Sequence, residues 1–201
     1  LWFLVLILAK AVVRQPFYAA LAAGLLASLA TIWVILTRLA ARDLWVAMGL
    51  VGALTLSSAF VDFSTSGLEN PLTHLLLALF VLVAIGEEDW SDRRFAAAAF
   101  LAGLLAANRM DAVLLVAPAL GYQLWRRGPR ALAIAAAGFA PFIAWEIFAL
   151  VYYGSFWPNT AAAKLGTGVP SSELIGQGVA YLVDAVRYDP ISPALLVAGL
   201  A

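Results

Sequence analysis

The chain contains no cysteine and only one histidine, His74. The lack of cysteine excludes disulfides and thiolate metal sites within it, and one histidine cannot supply a multi-histidine metal site. Charged residues make up only 12% of the sequence, with twelve basic and twelve acidic side chains. Because the formal net charge is zero, there is no general electrostatic reason to expect nucleic acid binding. We therefore predict no nucleic acid partner, and these residues predict no metal-ligand set.

Apolar residues, in contrast, are in large excess. They make up 64% of the chain, and the mean hydropathy is +0.95, whereas soluble domains are roughly 45–50% apolar. A globular interior cannot absorb this surplus, so it must face lipid. The charges are clustered between apolar stretches, as expected where a charge at mid-bilayer costs ~2.5–3.5 kcal/mol. The prediction is an all-α, polytopic transmembrane helix bundle with about six to eight membrane segments.

The apolar segments predict the helices, since the alternation of a membrane barrel is absent. The second and seventh segments are long enough to cross about 30 Å of hydrocarbon, whereas the fifth and sixth are short. Both chain ends lie in apolar sequence, so residues 1–201 are interpreted as part of one transmembrane domain of a longer protein. In chain order the segments are Leu1–Val13, Phe17–Thr37, Leu44–Phe60, Pro71–Gly86, Phe95–Ala107, Ala112–Trp125, Ala131–Tyr153 and one that opens near Ser192.

The distribution of arginine predicts the orientation. If each segment from Phe17 onward crosses once, seven arginines fall on one side, which the positive-inside rule makes cytoplasmic. The opposite, external side then carries three polar regions: the loop 62–70, the turn 108–111 and the long loop 154–190. This last loop contains a predicted amphipathic helix, Ser172–Val186, that suits a membrane surface. The cytoplasmic arginines are Arg38, Arg42, Arg93, Arg94, Arg126, Arg127 and Arg130.

The loop before the fourth segment is crowded with polar side chains. Asn70 followed by Pro71 is typical of a helix start, with the amide as N-cap and proline at the first helical position. That assignment leaves Asp62, Glu69 and His74 unexplained. Two interpretations stay open: a hydrogen-bonded brace of the loop, or recognition of sugar hydroxyls by carboxylate, amide and imidazole.

The turn Asn108-Arg109-Met110-Asp111 lies between the two short segments, so it is predicted to be recessed below the membrane surface, either between two short crossings or in a re-entrant pair. The structural interpretation pairs Arg109 with Asp111, or makes Asp111 the cap of a helix that begins at Ala112. The functional interpretation is that the guanidinium binds a phosphate at the lipid boundary, because its fork of donors matches phosphate oxygens.

Two further features carry candidate chemistry. Glu146 lies inside the seventh segment, where an acid is costly unless it is paired, protonated or facing a cavity. The aromatic stretch 152–157 suits an interfacial belt or, alternatively, stacking on sugar rings. Asn159 and Lys164 follow it, and Lys164 is a second candidate anion ligand.

At these external motifs the chain resembles the polyprenyl-phosphate-dependent membrane glycosyltransferases of the GT-C type, in particular the actinobacterial terminal β-(1,2) arabinofuranosyltransferases. The family's turn usually reads Arg-Pro-Asp, and Met110 replaces the proline here. The resemblance covers nearly the whole chain but only the N-terminal membrane half of such an enzyme. The motifs are Asp62-Phe63-Ser64-Thr65-Ser66-Gly67-Leu68-Glu69-Asn70-Pro71-Leu72, Arg109-Met110-Asp111, and Tyr152-Tyr153-Gly154 with Phe156-Trp157-Pro158-Asn159-Thr160 and Lys164.

The resemblance implies an inverting transfer of arabinofuranose from a decaprenyl-phosphate donor to cell-wall arabinan, on the external face of a bacterial plasma membrane. The partners would be membrane lipid, the polyprenyl-phosphate-linked sugar and a cell-wall polysaccharide acceptor. It places the catalytic aspartate in an external loop upstream of Leu1. A transporter or flippase of polyprenyl-linked sugar and a non-catalytic envelope scaffold remain as alternatives.

The expected site residues follow from the polar motifs and from the family resemblance together. The catalytic candidates are Asp62 and Glu69. The expected ligands of the donor phosphate are Arg109 and Lys164, and Glu146 is expected to line the cavity. Residues expected to bind sugar hydroxyls are Asn70, His74, Asp111 and Asn159.

Overall fold

The computed structural model describes residues 1–40, 43–86, 89–156 and 168–200. All regular structure in these ranges is helical, which confirms the all-α prediction. A π-type turn, Ile35–Leu39, extends the second helix, and a short 3₁₀ turn, Met110–Ala112, precedes the seventh. The helices are α1 (Trp2–Val12), α2 (Pro16–Val34), α3 (Leu44–Leu56), α4 (Ser58–Ser64), α5 (Asn70–Ala84), α6 (Asp92–Asn108), α7 (Val113–Arg127), α8 (Arg130–Gly138), α9 (Ala140–Tyr153), α10 (Ser171–Tyr188) and α11 (Ile191–Leu200).

Fewer helices than expected are long enough to cross a membrane. Of the described helices, only the stretch Pro16–Leu39 is both long and apolar enough on its own. The pairs α3–α4 and α8–α9 would each qualify if a bent pair counts as one span, and they bend by 71° and 65°. Length and composition therefore support one to three spans, and the predicted six to eight are not confirmed.

The two bends have local causes that hydropathy does not register. Between α3 and α4, Ser57 adopts an extended backbone, and its hydroxyl accepts from the N–H of Phe60, so a new helix begins there. Between α8 and α9, Gly138 lies directly against Ala99 of α6, and Pro141 follows in the first turn of α9. The predicted seventh segment is therefore not one continuous helix: it consists of two helices that meet at Phe139.

The core is built around α6. Its inward face consists of small side chains interrupted by two large ones, Phe95 and Leu105, and all are almost fully buried. Helices α5, α7 and α8 pack on this face, with Phe80 and Val116 among the contacting residues. Small residues permit the close backbone approach that is typical of membrane helix interfaces. This packing fixes α5 and α6 side by side, so the start of α5 and the end of α6 lie at the same end of the bundle.

A buried carboxylate, Asp189, connects the C-terminal helices to the bend between α3 and α4. Its side chain is 9% exposed. It accepts hydrogen bonds from the Ser57 hydroxyl (2.9 Å), the Ala59 N–H (3.1 Å) and the Ser192 N–H (3.2 Å). One side chain thus caps both α4 and α11. Helix α10, which ends just before Asp189, covers the segment predicted to be amphipathic, and its place on the outer membrane surface stays a prediction.

Replacing Asp189 with alanine is expected to lower the melting temperature of the detergent-solubilised full-length protein by several degrees at pH 7. The N–H of Ala59 is the largest of the hydrogen-bonding causes that lower the pKa of Asp189. A lowered folded-state pKa means that the stabilisation is complete above the unfolded value of about 3.9 and is lost as pH falls through the folded value. The melting temperatures of the wild type and of D189A, plotted against pH, should therefore converge below about pH 4. Asp184→Ala, an exposed change on α10, is the control, and equal melting temperatures at pH 7 would contradict the capping role.

Candidate functional site

Two regions far apart in sequence meet around one guanidinium. Arg109 Nη1 donates to Asn70 Oδ1 at 2.7 Å and lies 3.7 Å from a carboxylate oxygen of Glu69. Its Nε and Nη2 donate to the two carboxylate oxygens of Asp111 at 3.2 and 2.8 Å. We call these four residues, Glu69, Asn70, Arg109 and Asp111, the arginine cluster. It joins the loop before α5 to the turn after α6.

Local backbone structure places these side chains. Helix α6 ends because Arg109 is extended, and the following 3₁₀ turn brings Asp111 back beside the guanidinium. The N-cap position of α5 is Glu69, which makes no side-chain capping bond, whereas Asn70 is already in the helix. The predicted N-cap role of Asn70 is therefore wrong, and Pro71 is the second helical residue rather than the first. Its carboxamide oxygen accepts from Arg109 instead.

The charges of the cluster do not balance. One guanidinium faces the two carboxylates of Glu69 and Asp111, so the formal net charge is negative. The hydrogen bond from Arg109 is the largest cause that lowers the pKa of Asp111, and the same bond is the largest that raises the pKa of Arg109. Of the interpretations left open by the sequence, the pairing of Arg109 with Asp111 is the one observed. Three of the five guanidinium N–H groups donate to described residues, and the Arg109 side chain is 36% exposed.

Asn108 connects the cluster to a cavity. Its Nδ2 donates to the Glu69 carbonyl at 3.1 Å and to the Thr73 hydroxyl at 3.0 Å. Its Oδ1 is buried and has no hydrogen-bond partner within the described ranges. The same residue lines a cavity of about 440 Å³ between the end of α6 and α9. The unsatisfied oxygen is thus buried within the wall of a partly open cavity.

The cavity combines aromatic and polar side chains. Glu146 lines it and makes no hydrogen bond or ion pair with any other described residue. This is the cavity-lining location that was one alternative for this acid. Rings lie on the same walls, from Trp145 and Tyr153 of α9 and from Phe156 after it. Carboxylate, carboxamide and aromatic rings are a combination that suits sugar hydroxyls and ring faces.

Four expected site residues lie elsewhere or cannot be placed. Asp62 is exposed on α4 and makes no described contact with the cluster. His74 packs against Phe60, with ring centroids 5.3 Å apart, and lines a second, largely apolar cavity of about 390 Å³. It is therefore not part of the arginine cluster, although the sequence placed it with Asn70 among the expected ligands of sugar hydroxyls. Asn159 and Lys164 lie outside the described residues.

Sequence reasoning missed the role of Asn108 and the contribution of Trp145. Asn108 belongs to the recognised turn, and the signal that could have drawn attention to it is a polar residue directly after the apolar run Phe95–Ala107. Trp145 adjoins Glu146, the acid of the predicted seventh segment, but aromatic residues are too common in apolar helices to single it out. In the part of the chain that the structure describes, no group of three histidine, cysteine or acidic side chains could hold a metal ion.

Comparison with known proteins found a distant relative. Over 118 residues the chain is 36% identical to the terminal β-(1→2)-arabinofuranosyltransferase of Mycobacterium tuberculosis. The alignment covers 53% of this chain and 18% of that protein, so the chain spans less than a fifth of its relative's length. No family model and no solved structure matches. The similarity supports a distant relationship to that arabinofuranosyltransferase and, at most, a glycosyltransferase-like role.

Proposed function

We propose that the chain is part of a GT-C-type membrane glycosyltransferase. In this proposal it transfers a sugar, arabinofuranose, from a polyprenyl-phosphate donor to a cell-wall glycan on the outer face of a bacterial plasma membrane. The observation that carries the proposal is the convergence of the arginine cluster and the Asn108–Glu146 cavity at one place in an apolar bundle. Intramembrane charges are costly and therefore favour a functional interpretation. The arabinofuranosyltransferase relative supports the same class of reaction.

The carboxylates supply the base in this mechanism. An acceptor hydroxyl gives up its proton to a carboxylate while its oxygen attacks the anomeric carbon and the donor phosphate leaves, which inverts that carbon. Among the described acids we favour Glu69 over Asp62, because the Glu69 carboxylate lies beside Arg109 and its backbone carbonyl accepts a hydrogen bond from the cavity-lining Asn108. If the family's upstream aspartate is the base, Glu69 is the group that orients the acceptor hydroxyl.

Arg109 is proposed to have two roles, one structural and one in the transfer step. Its bonds to Asn70 and Asp111 hold the cluster together, and its exposed remainder is available to the negative charge of the leaving phosphate. Lys164 is proposed as a second phosphate ligand. Asn159 is proposed to bind sugar hydroxyls. Asn70 and Asp111 are proposed to do the same through the oxygen lone pairs that their bonds to Arg109 leave free. His74 could take part only through a ligand that also enters the second cavity.

A transporter of lipid-linked sugar is the second candidate function, and the sharp bends of α3–α4 and α8–α9 favour it. Discontinuous helices near mid-membrane are common in transporters. Alternating access, however, needs a polar path between the two ends of the bundle. The other end carries a separate ion pair, Asp92–Arg127 at 2.6 Å, and the apolar face of α6 lies between it and the arginine cluster.

A transfer assay in detergent separates these functions. The purified full-length protein is incubated with a labelled polyprenyl-phosphoryl arabinofuranose and an arabinan oligosaccharide, and the label is followed into glycosidic linkage. Because detergent solution has no compartments, a transporter or a scaffold gives no product, whereas a transferase extends the oligosaccharide. We expect extension by one residue. Donor translocation in vesicles without any extended oligosaccharide would overturn the proposal in favour of transport.

A further inference from the structure

A tryptophan of the first helix binds the loop between α4 and α5. Trp2 lies in the first turn of α1, and its side chain is only 8% exposed. Its indole Nε1 donates a hydrogen bond to the carbonyl oxygen of Gly67 at 2.9 Å. An indole N–H can only donate, and a buried donor without an acceptor is costly. The bond therefore ties α1 to a loop residue that lies two positions before Glu69.

The second helix fixes the start of the same loop. A Cβ at Gly24 of α2 would lie 2.9 Å from the carbonyl oxygen of Ser64, so a larger residue would force the two elements apart. Ser28, one turn further along α2, donates its hydroxyl to the Ser64 hydroxyl at 3.0 Å. Ser64 is the last residue of α4. The loop therefore leaves α4 from a point that is fixed against α2.

The backbone of the loop holds itself only weakly. The N–H groups of Thr65 and Ser66 donate to the carbonyls of Asp62 and Phe63 over 3.4 Å, which is long for an N–H···O bond. Gly67 follows with a φ of +76°, a conformation that favours glycine. The indole bond to its carbonyl is much shorter, at 2.9 Å. The middle of the loop therefore depends on the indole more than on its own backbone.

The end of the loop carries a carboxylate of the arginine cluster. Glu69 is the N-cap residue of α5 but makes no side-chain capping bond. Its carboxylate lies 3.7 Å from Arg109 Nη1, which is an ion pair without a hydrogen bond of normal length. Asn108 binds only its backbone carbonyl, at 3.1 Å. The direction of the Glu69 side chain is therefore sensitive to the path of the loop that precedes it.

We propose that Trp2 is a positioning residue of the arginine cluster: by holding the Gly67 carbonyl, its indole N–H keeps the Glu69 carboxylate beside Arg109. No hydrogen bond or ion pair among the described residues joins Trp2 to either charged group, so its effect passes through the loop. The consequence for sugar transfer rests on the proposed function, in which Glu69 acts on the acceptor hydroxyl. Without the N–H the loop gains freedom, and fewer molecules hold the carboxylate in the productive place.

The first test is the kinetics of sugar transfer by the full-length protein in detergent. Trp2→Phe keeps an aromatic ring and removes the N–H. We expect kcat to fall about tenfold, while the KM for the lipid-linked donor changes by less than about twofold. Benzothienylalanine at position 2 keeps the shape of the indole but has sulfur in place of the N–H, so it should show the same loss, and it carries the test if W2F does not fold. Trp33→Phe, the same change at an exposed ring of α2, is the matched control and should retain the wild-type rate.

The second test needs no transfer activity. A nitroxide spin label on L68C, in a full-length protein without other reactive cysteines, reports the mobility of the loop beside Gly67 by electron paramagnetic resonance. The Leu68 side chain is exposed, so the label can be attached there. We expect narrower lines, which indicate faster motion, in W2F than in the wild type or in W33F.

Two results would overturn the role of Trp2. Unchanged line shapes in W2F and in the benzothienylalanine variant would show that the indole does not hold the loop. A wild-type kcat in both variants, despite a more mobile label, would show that the path of the loop has no effect on transfer. The proposed function fails differently: a wild-type protein that shows no transfer refutes it, and the spin label alone then decides whether Trp2 holds the loop.

Discussion

Replacing Arg109 with alanine is expected to lower the rate of sugar transfer by about 100-fold or more. The change removes the only cation of the arginine cluster and leaves the carboxylates of Glu69 and Asp111 facing each other without it. It also removes the guanidinium that is proposed to neutralise the leaving phosphate. The measurement is kcat and KM for the lipid-linked donor in the detergent assay.

Lysine at position 109 should restore only part of the activity. An ammonium keeps the charge but cannot donate to Asp111 through two parallel bonds while also donating to Asn70. Arg130→Ala is the matched control, because Arg130 is highly exposed and pairs with Asp92 at the other end of the bundle. A normal rate and a normal KM in R109A would refute both roles proposed for the guanidinium.

The second large effect is expected at Glu69. Glu69→Gln preserves the shape of the side chain but removes its capacity to take a proton, and we expect the transfer rate to fall by about 100-fold to 10,000-fold. Its backbone carbonyl, which accepts from Asn108, is untouched. The loss should therefore appear in kcat, with little change in the KM for the acceptor.

Asp62→Asn is the comparison that decides between the two catalytic candidates. Asp62 is exposed on α4 and has no described contact with the cluster, so its variant should retain most of the transfer rate. The opposite pattern, with D62N inactive and E69Q active, would show that the wrong carboxylate has been chosen. A mild effect of both changes would point to the upstream acid that the resemblance implies.

The sequence predicted the all-α class of the fold, because that class follows from a strong and simple physical signal. A backbone in lipid must satisfy its own hydrogen bonds, so a large surplus of apolar residues predicts helices. Candidate site residues were therefore predicted in the polar turns between the apolar segments. Their convergence around Arg109 depends on tertiary structure, because the packing of α5 on α6 brings Asn70 next to Arg109.

Other features could not be read from hydropathy. At the bend, the Ser57 hydroxyl donates a hydrogen bond to Asp189, which lies 132 residues further along the chain. The break at Phe139 depends on contact between Gly138 and α6. His74 is one turn from Asn70 on α5, about 6 Å along the helix axis, yet it meets Phe60 of α4 rather than the cluster. Spacing along one helix does not specify which neighbour each turn contacts.

The central claim is that the loop before α5 and the turn after α6 open to the same, external side of the membrane. Single cysteines at Leu68 and Met110 test it, because both side chains are exposed neighbours of the cluster and the 201-residue chain has no cysteine of its own. Intact cells that express L68C or M110C in the full-length protein are treated with a membrane-impermeant maleimide. Our account predicts that both positions are labelled from outside. Labelling of one from outside and of the other only from the cytoplasm would contradict it.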